Sequence, residues 1–207
     1  MDRSIGSILW HRTVLGDIPT ATAWLRIHQL AAVEVDYRIR QILPEYWEAS
    51  TPCAEWDVYE VVAHCVIENM RVPLILEGAS FEQVMSVDRE VVVEDPEMAW
   101  EVSWRNAVAA FSEADLEGTV ALGEQVIPTV EFLRIRACDL SVHAWDLAVG
   151  LAIDERIDEE VVTAALGWAQ GRRDQMAQMP ELFDPPSRSA FDADPQTQLL
   201  AIFGREV

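Results

Sequence analysis

Residues 129–149 combine two properties that a surface helix ordinarily keeps apart. The run is helix-compatible from Thr129 onward, with Gly150 as its stop. With Asp139 set at zero and about 100° per residue, Phe132, Ile135 and Val142 fall within roughly 60° of it. On the same wheel His143 lies near about +40°, Asp146 near about −20° and Arg136 near about +60°. Ionisable side chains therefore occupy the middle of the apolar arc. Arg134, Ser141 and Ala148 hold the opposite face, which reads as the side turned to water. An unpaired carboxylate in an apolar interior costs several kcal/mol or must take up a proton. The chain has to fold so that this face meets a partner: another charge, a hydrogen-bond network or a metal ion.

The remaining punctuation predicts further helices around this one. A first helix spans 20–43 and is closed by Pro44. Asp57 and Glu60 form a D-x-x-E capping pair that opens a second helix toward Gly78, with Pro73 expected to kink it. Residues 79–94 read as a long connection with a short extended piece at 91–93. Asp95-Pro96 launches a third helix through about Ala114. Residues 118–127 read as a loop or short strand. A fifth helix starts near Asp158 and ends before Pro180, and a connector follows at 180–192. A last short helix is capped by Asp194 and ended by Gly204. The expected fold class is all-α: a bundle of four long helices within residues 20–207, an N-terminal extension over residues 1–19, and a short C-terminal helix.

Charge excludes several partners. The 207 residues carry 15 basic side chains, all Arg, against 36 acidic ones, a net charge of −21. Nucleic acid and anionic lipid surfaces both demand clustered cations, so neither is expected as a partner. No run of 18 apolar residues offers a membrane span, and the mildly apolar stretch 5–15 lacks the pattern of a signal peptide. Cys53, Cys65 and Cys138 form no paired-Cys metal motif, and their odd count suits a reducing cytoplasm. Cys65 and Cys138 read as small buried hydrophobes. His11 and His28 read as surface or boundary residues, and the acidic stretch 88–117 as a solvated face. Trp56 and Trp145 are candidates for the wall of a pocket.

Asp139 and His143 stand at i and i+4, so their side chains can converge on one point. His64 on the second helix also sits in an apolar arc, beside Val61, Ile67, Leu74 and Ile75, with Glu68 and Arg71 on the same face. Two histidines and a carboxylate drawn from two helices suit a divalent metal with coordination positions left open. The same donors describe non-haem iron sites. Plainer readings stay open at this point: His64 as a hydrogen-bonded core residue, Asp139 paired with Arg136, and Asp146 bracing another helix.

The motifs carry a resemblance. Thr51-Pro-Cys-Ala-Glu-Trp56 followed by Asp57 and His64 resembles a signature of the DinB-like superfamily. More narrowly, it resembles the branch containing the metal-binding domain of mycothiol-dependent maleylpyruvate isomerase. Arg136-Ala-Cys-Asp139-Leu-Ser-Val-His143-Ala-Trp-Asp146 is similar to that branch's second signature, and Phe203-Gly-Arg205 to its closing segment. The resemblance implies a DinB-like four-helix bundle holding a divalent metal, usually zinc with nickel or iron as alternatives, on His64, Asp139 and His143. It also implies a low-molecular-weight thiol such as mycothiol as cofactor, acting on a small electrophile.

Asp146 is then expected as a base or as an orienter of His143, and Glu68 and Arg71 as pocket residues near the cofactor. The isomerase has Glu where this chain has Asp139, a side chain longer by one methylene, and its further C-terminal domain is not expected here. The expected function is a metal-dependent enzyme that favours the thiolate and directs it at the electrophile, in transfer, addition or isomerisation. The rival expectation is a non-catalytic bundle that binds a metal or a small ligand. Bundles of this kind often pair, and a homodimer using the apolar residues before Thr20 is part of the expectation.

Overall fold

A computed structural model describes residues 19–53, 56–87, 95–172 and 193–207. The long helices are α1 (Ala21–Ile39), α2 (Val58–Leu76), α4 (Pro96–Glu113) and α5 (Thr129–Gly150). They are joined by a single turn, α3 (Phe81–Met85), and by the strands β1 (Thr119–Leu122) and β2 (Gln125–Pro128). The shorter α6 (Glu159–Gln170) and α7 (Pro195–Ile202) follow. α1 packs most extensively on α5 and α2 on α4, while α1–α4 and α2–α5 contacts close the four into a ring. α6 and α7 pack on each other, and α6 also meets α5 and α1. The all-α bundle and its short C-terminal helix are as expected. None of the described helices is long and apolar enough to cross a membrane.

Helix starts follow local chemistry. Asp57 accepts from the Glu60 amide at 2.8 Å while its own amide donates to the Glu60 carboxylate at 3.3 Å, so both arms of the capping box form. Thr20, Asp95, Asp158 and Asp194 each accept from first-turn amides of the helix that follows. α2 runs on through Pro73 to Leu76.

Several expectations need correction. α1 ends at Ile39 rather than near Leu43, and two turn bonds, Gln41 to Arg38 and Ile42 to Ile39, finish it. The connection 79–94 contains α3, whose start is a second capping box of Ser80 and Gln83. Residues 119–128 form a hairpin rather than a loop or lone strand. Leu122 pairs with Gln125, and Gly123 supplies the positive φ of +61° that its two-residue turn needs. The extension apart from residue 19, the piece at 91–93, His11 and the connector 180–192 lie outside the described residues.

The largest correction concerns α5. Ser141 and Ala148 are buried, and Arg134 is mostly covered, its guanidinium lying 5.7 Å from the Trp24 ring of α1. The supposed water-facing side carries Ala137, Ser141, Ala144 and Ala148, small enough to let a neighbouring helix come close. α5 is therefore the central helix, enclosed on all sides. Its last residue, Gly150, serves close approach: a Cβ there would stand 3.0 Å from Val58 and 3.1 Å from Thr51. That approach seats the segment carrying Thr51 and Trp56 against the end of α5.

His28 is likewise not a surface or boundary residue. It is 1% exposed, its ring meets Phe111 edge-on at 5.0 Å, and its Nε2 has no hydrogen-bond partner among the described residues. Burial, helped by the Arg136 charge, pushes its pKa down to about 3. The unfolded chain takes up a proton here near pH 6.5 that the folded chain refuses until about 3, so this group costs stability as pH falls through that window. His28→Leu is expected to be near neutral at pH 7.5 and to gain on the order of 3 kcal/mol over wild type at pH 4, read from urea midpoints.

Candidate metal centre

α2 and α5 bring the site together. α2 contributes His64, Glu68, Asn69 and Arg71. α5 contributes Arg136, Asp139, His143 and Asp146, all on the arc whose ionisable stripe had demanded a partner. His64 Nε2 lies 3.4 Å from Asp139 Oδ1, and His143 Nε2 lies 3.5 Å from the same oxygen. One donor atom from each of the three residues falls within 4.8 Å of the others.

The spacing can be tested against a metal. Tetrahedral zinc with ligand distances near 2.0–2.1 Å sets its donors about 3.3 Å apart. Both measured separations are close to that value. The two imidazole nitrogens and one carboxylate oxygen fit a divalent first-row ion, and the resulting set leaves a position open. Trp56 flanks the two histidines, with its ring 4.9 Å from His64 and stacked at 5.8 Å on His143.

Asp139 divides its two oxygens between two tasks. Oδ1 faces the histidines, whereas Oδ2 accepts from Arg136 Nη1 at 2.8 Å. The plain ion pair and the ligand geometry thus coexist in one side chain. Arg136 is itself buried and donates from its other arm to Asn69 Oδ1 at 3.3 Å. Burial alone would raise the Asp139 pKa, but the Arg136 guanidinium and the two imidazoles outweigh it and hold the carboxyl well below its ordinary value.

Behind His143 stands a second pairing. His143 Nδ1 lies 2.9 Å from Asp146 Oδ2, and an ionised carboxylate only accepts, so the proton sits on Nδ1. Nε2 is thereby turned toward Asp139. Asp146 is fully buried and receives Arg205 on both oxygens, Nε at 3.0 Å and Nη2 at 2.8 Å. This is the arrangement in which a carboxylate fixes the tautomer and angle of a metal-ligating histidine. Burial would lower the His143 pKa, but Asp139 and Asp146 together raise it to about 9. Cys53 also offers its sulfur within 4.8 Å of donor atoms of His143 and Asp146. Asp146 is already engaged by His143 and Arg205, which makes that trio the poorer ion site.

A cavity of about 560 Å³ opens onto the donors. His64, Asp139, Arg136, Glu68 and Arg71 line it, so two of the three proposed ligands and the expected pocket residues share one wall, while His143 lies beside it without lining it. Asp146 does not line it. Arg71 Nη1 donates to Glu68 Oε1 at 2.5 Å. Cys65 and Cys138 are fully buried, and burial pushes both thiols well up, away from the reactive range. Trp145 is not among the residues that line this cavity, and its Nε1 donates to Glu155 at 3.1 Å.

Arg205 and Asn69 are the site residues that sequence reasoning did not assign. Arg205 stood in the closing segment of the resemblance without a role, and the fully buried carboxylate of Asp146 was the signal that a cation had to be found for it.

Comparison with known proteins bears on the fold and the family. No curated protein matches the chain in sequence. Among solved structures, the crystal structure of mycothiol-dependent maleylpyruvate isomerase aligns with a TM-score of 0.60 at 14% identity, over 76% of this chain and 73% of that one. A variant of that isomerase with a histidine replaced by alanine aligns with a TM-score of 0.59 at 13% identity, over 73% and 70% of the two chains. These likenesses establish the fold. The model of the family described as the mycothiol maleylpyruvate isomerase N-terminal domain matches residues 28–148, a span that includes His64, Asp139 and His143. The chain belongs to the mycothiol maleylpyruvate isomerase N-terminal domain family.

Proposed function

We propose that this protein is a divalent-metal-dependent enzyme that uses a low-molecular-weight thiol, mycothiol-like, on a small electrophile. The observation that carries the reading is the trio of His64, Asp139 and His143 at metal-donor spacing, lining or adjoining a cavity large enough for a small molecule. When bound there, a divalent ion supplies positive charge that favours the thiolate over the thiol at neutral pH. The chain's own residues do the rest. Asp146 acts as a positioning residue, holding His143 in one tautomer, and Arg205 keeps Asp146 ionised. Arg136 neutralises the Asp139 oxygen turned away from the donors. Trp56 packs its ring against both imidazoles.

In the reaction itself the thiol S–H proton leaves to solvent through the cavity mouth, and the sulfur lone pair forms a C–S bond as the electrophile's π bond opens toward the neighbouring carbon. In addition, that carbon then takes up a proton from solvent. In isomerisation, the C–S bond breaks again after rotation and returns the thiolate. We place this chemistry in the cytoplasm, where the cysteines stay reduced.

The test uses Co²⁺-loaded protein titrated with mycothiol and, separately, glutathione. A sulfur-to-metal absorption band in the near ultraviolet is expected with wild type and not with His143→Ala. Loaded protein should then consume thiol in the presence of a reactive electrophile. Metal binding with neither band nor consumption would leave a non-catalytic metal-binding bundle and overturn the reading.

A further inference from the structure

We infer that the cavity above the metal donors selects an uncharged, mostly apolar electrophile and discriminates against dicarboxylates. This rests on the site being metal- and thiol-dependent and adds the class of its substrate.

The walls come from five elements. Ile75 of α2, Val84 of α3, Leu122 and Ile127 of the hairpin, Ile135 of α5 and Trp168 of α6 make most of the surface away from the donors. The rim continues in the same character. Phe81 and Met85 of α3 line the opening while remaining 64% and 49% exposed, an apolar approach to the interior. Such walls gain from covering apolar surface and offer nothing to replace the hydration of a charged group.

The charges that do line the cavity are satisfied among themselves. Arg71 is held by Glu68 at 2.5 Å and Arg136 by Asp139 at 2.8 Å. Glu131 accepts from Trp168 Nε1 at 3.0 Å and is bridged by Arg172 at 2.5 and 2.9 Å. Among the described residues no guanidinium in the wall lacks a carboxylate, so an incoming carboxylate can claim one of these cations only by displacing Glu68 or Asp139. Arg71 and Arg136 in the lining, with Arg172 on Glu131, balance Glu68, Asp139 and Glu131, so the described wall carries no net charge. A neutral substrate suits this paired wall, whereas a dianion must break one of its ion pairs and approaches a chain of net charge −21.

The experiment measures binding of the uncharged fluorophore N-phenyl-1-naphthylamine to the whole chain, with and without Zn²⁺. Saturable binding at micromolar concentration is expected, displaced by 1-hexanol and not by maleate at the same concentration. Val84→Glu and Leu122→Glu should each weaken the fluorophore at least tenfold while zinc content stays at the wild-type level, which shows that the fold and the donors are intact. Wild type stripped of zinc by a chelator should keep fluorophore affinity within twofold, so failure of the metal and thiol reading is distinguishable from failure of this one. Absence of saturable binding, unchanged affinity in both Glu variants, or displacement by maleate at lower concentration than 1-hexanol would overturn the inference.

Discussion

Protein carrying His143→Ala, purified without chelator, is expected to retain less than about a tenth of the zinc held by wild type. His64→Ala and Asp139→Asn should behave alike. Even residues that only orient a ligand typically cost about 10–100-fold in metal affinity when changed, and removal of a donor costs more. The three losses should be comparable because each leaves only two donors, whichever helix they come from. Asp146→Asn, which keeps all three donors, should fall in the roughly 10–100-fold range instead. Metal content by elemental analysis, beside a competition titration, separates the two classes. Full retention in the donor variants would mean that the buried stripe is an ion-pair network alone.

The same experiment has a definite pH dependence. In the metal-free protein His143 holds a proton up to about pH 9, and that proton must leave before Nε2 can donate to an ion. Apparent affinity therefore rises with pH up to about 9, and each unit below it costs about tenfold. In weakly buffered solution near pH 7, ion uptake should acidify the medium. An affinity flat between pH 6 and 9 would contradict this.

The second large effect is on stability. Arg205→Ala leaves Asp146 buried without its cation, and breaking a buried pair from one side costs about 3–5 kcal/mol. For a chain of this size roughly 2–4 °C in Tm accompanies each kcal/mol, so Tm should drop by about 6–20 °C. Replacing both partners, Arg205→Met with Asp146→Leu, should recover much of that loss, because two apolar groups can replace a buried pair at little cost. The double variant should still bind zinc weakly, since nothing then fixes the His143 tautomer. Recovery of stability without recovery of zinc affinity is the signature of positioning. If Arg205→Ala alone leaves Tm unchanged, the pair is not a structural element.

Much of this site was legible because charge in an apolar arc is physically anomalous. Asp139, His143 and Asp146 could not be buried alone, so residues of one helix announced that a partner existed. His64 was legible for the same reason on α2. Arg205 was not, because it meets Asp146 across 59 residues and no local pattern encodes such a contact. His28 was misplaced although Trp24, Ile27, Ala31 and Val35 share its face and all are buried. Its polarity obscured a periodicity that pointed inward. The back of α5 was misread because Ser141 and Ala148 look suited to water, while in a packed bundle small side chains also admit a neighbouring helix. α3 is too short for any periodicity, although its Ser80–Gln83 cap was present in the sequence.

The distance from Asp146 to Arg205 also bears on how the molecule is made. Synthesis proceeds at roughly 5–20 residues per second, so the arginine follows the carboxylate by about 3–12 s. Throughout that interval the emerging chain already contains every donor to the ion and lacks the cation that lets Asp146 enter the interior. A nascent bundle has reason to keep α5 partly undocked until Arg205 arrives. Ion capture then follows the emergence of α7 rather than that of α5.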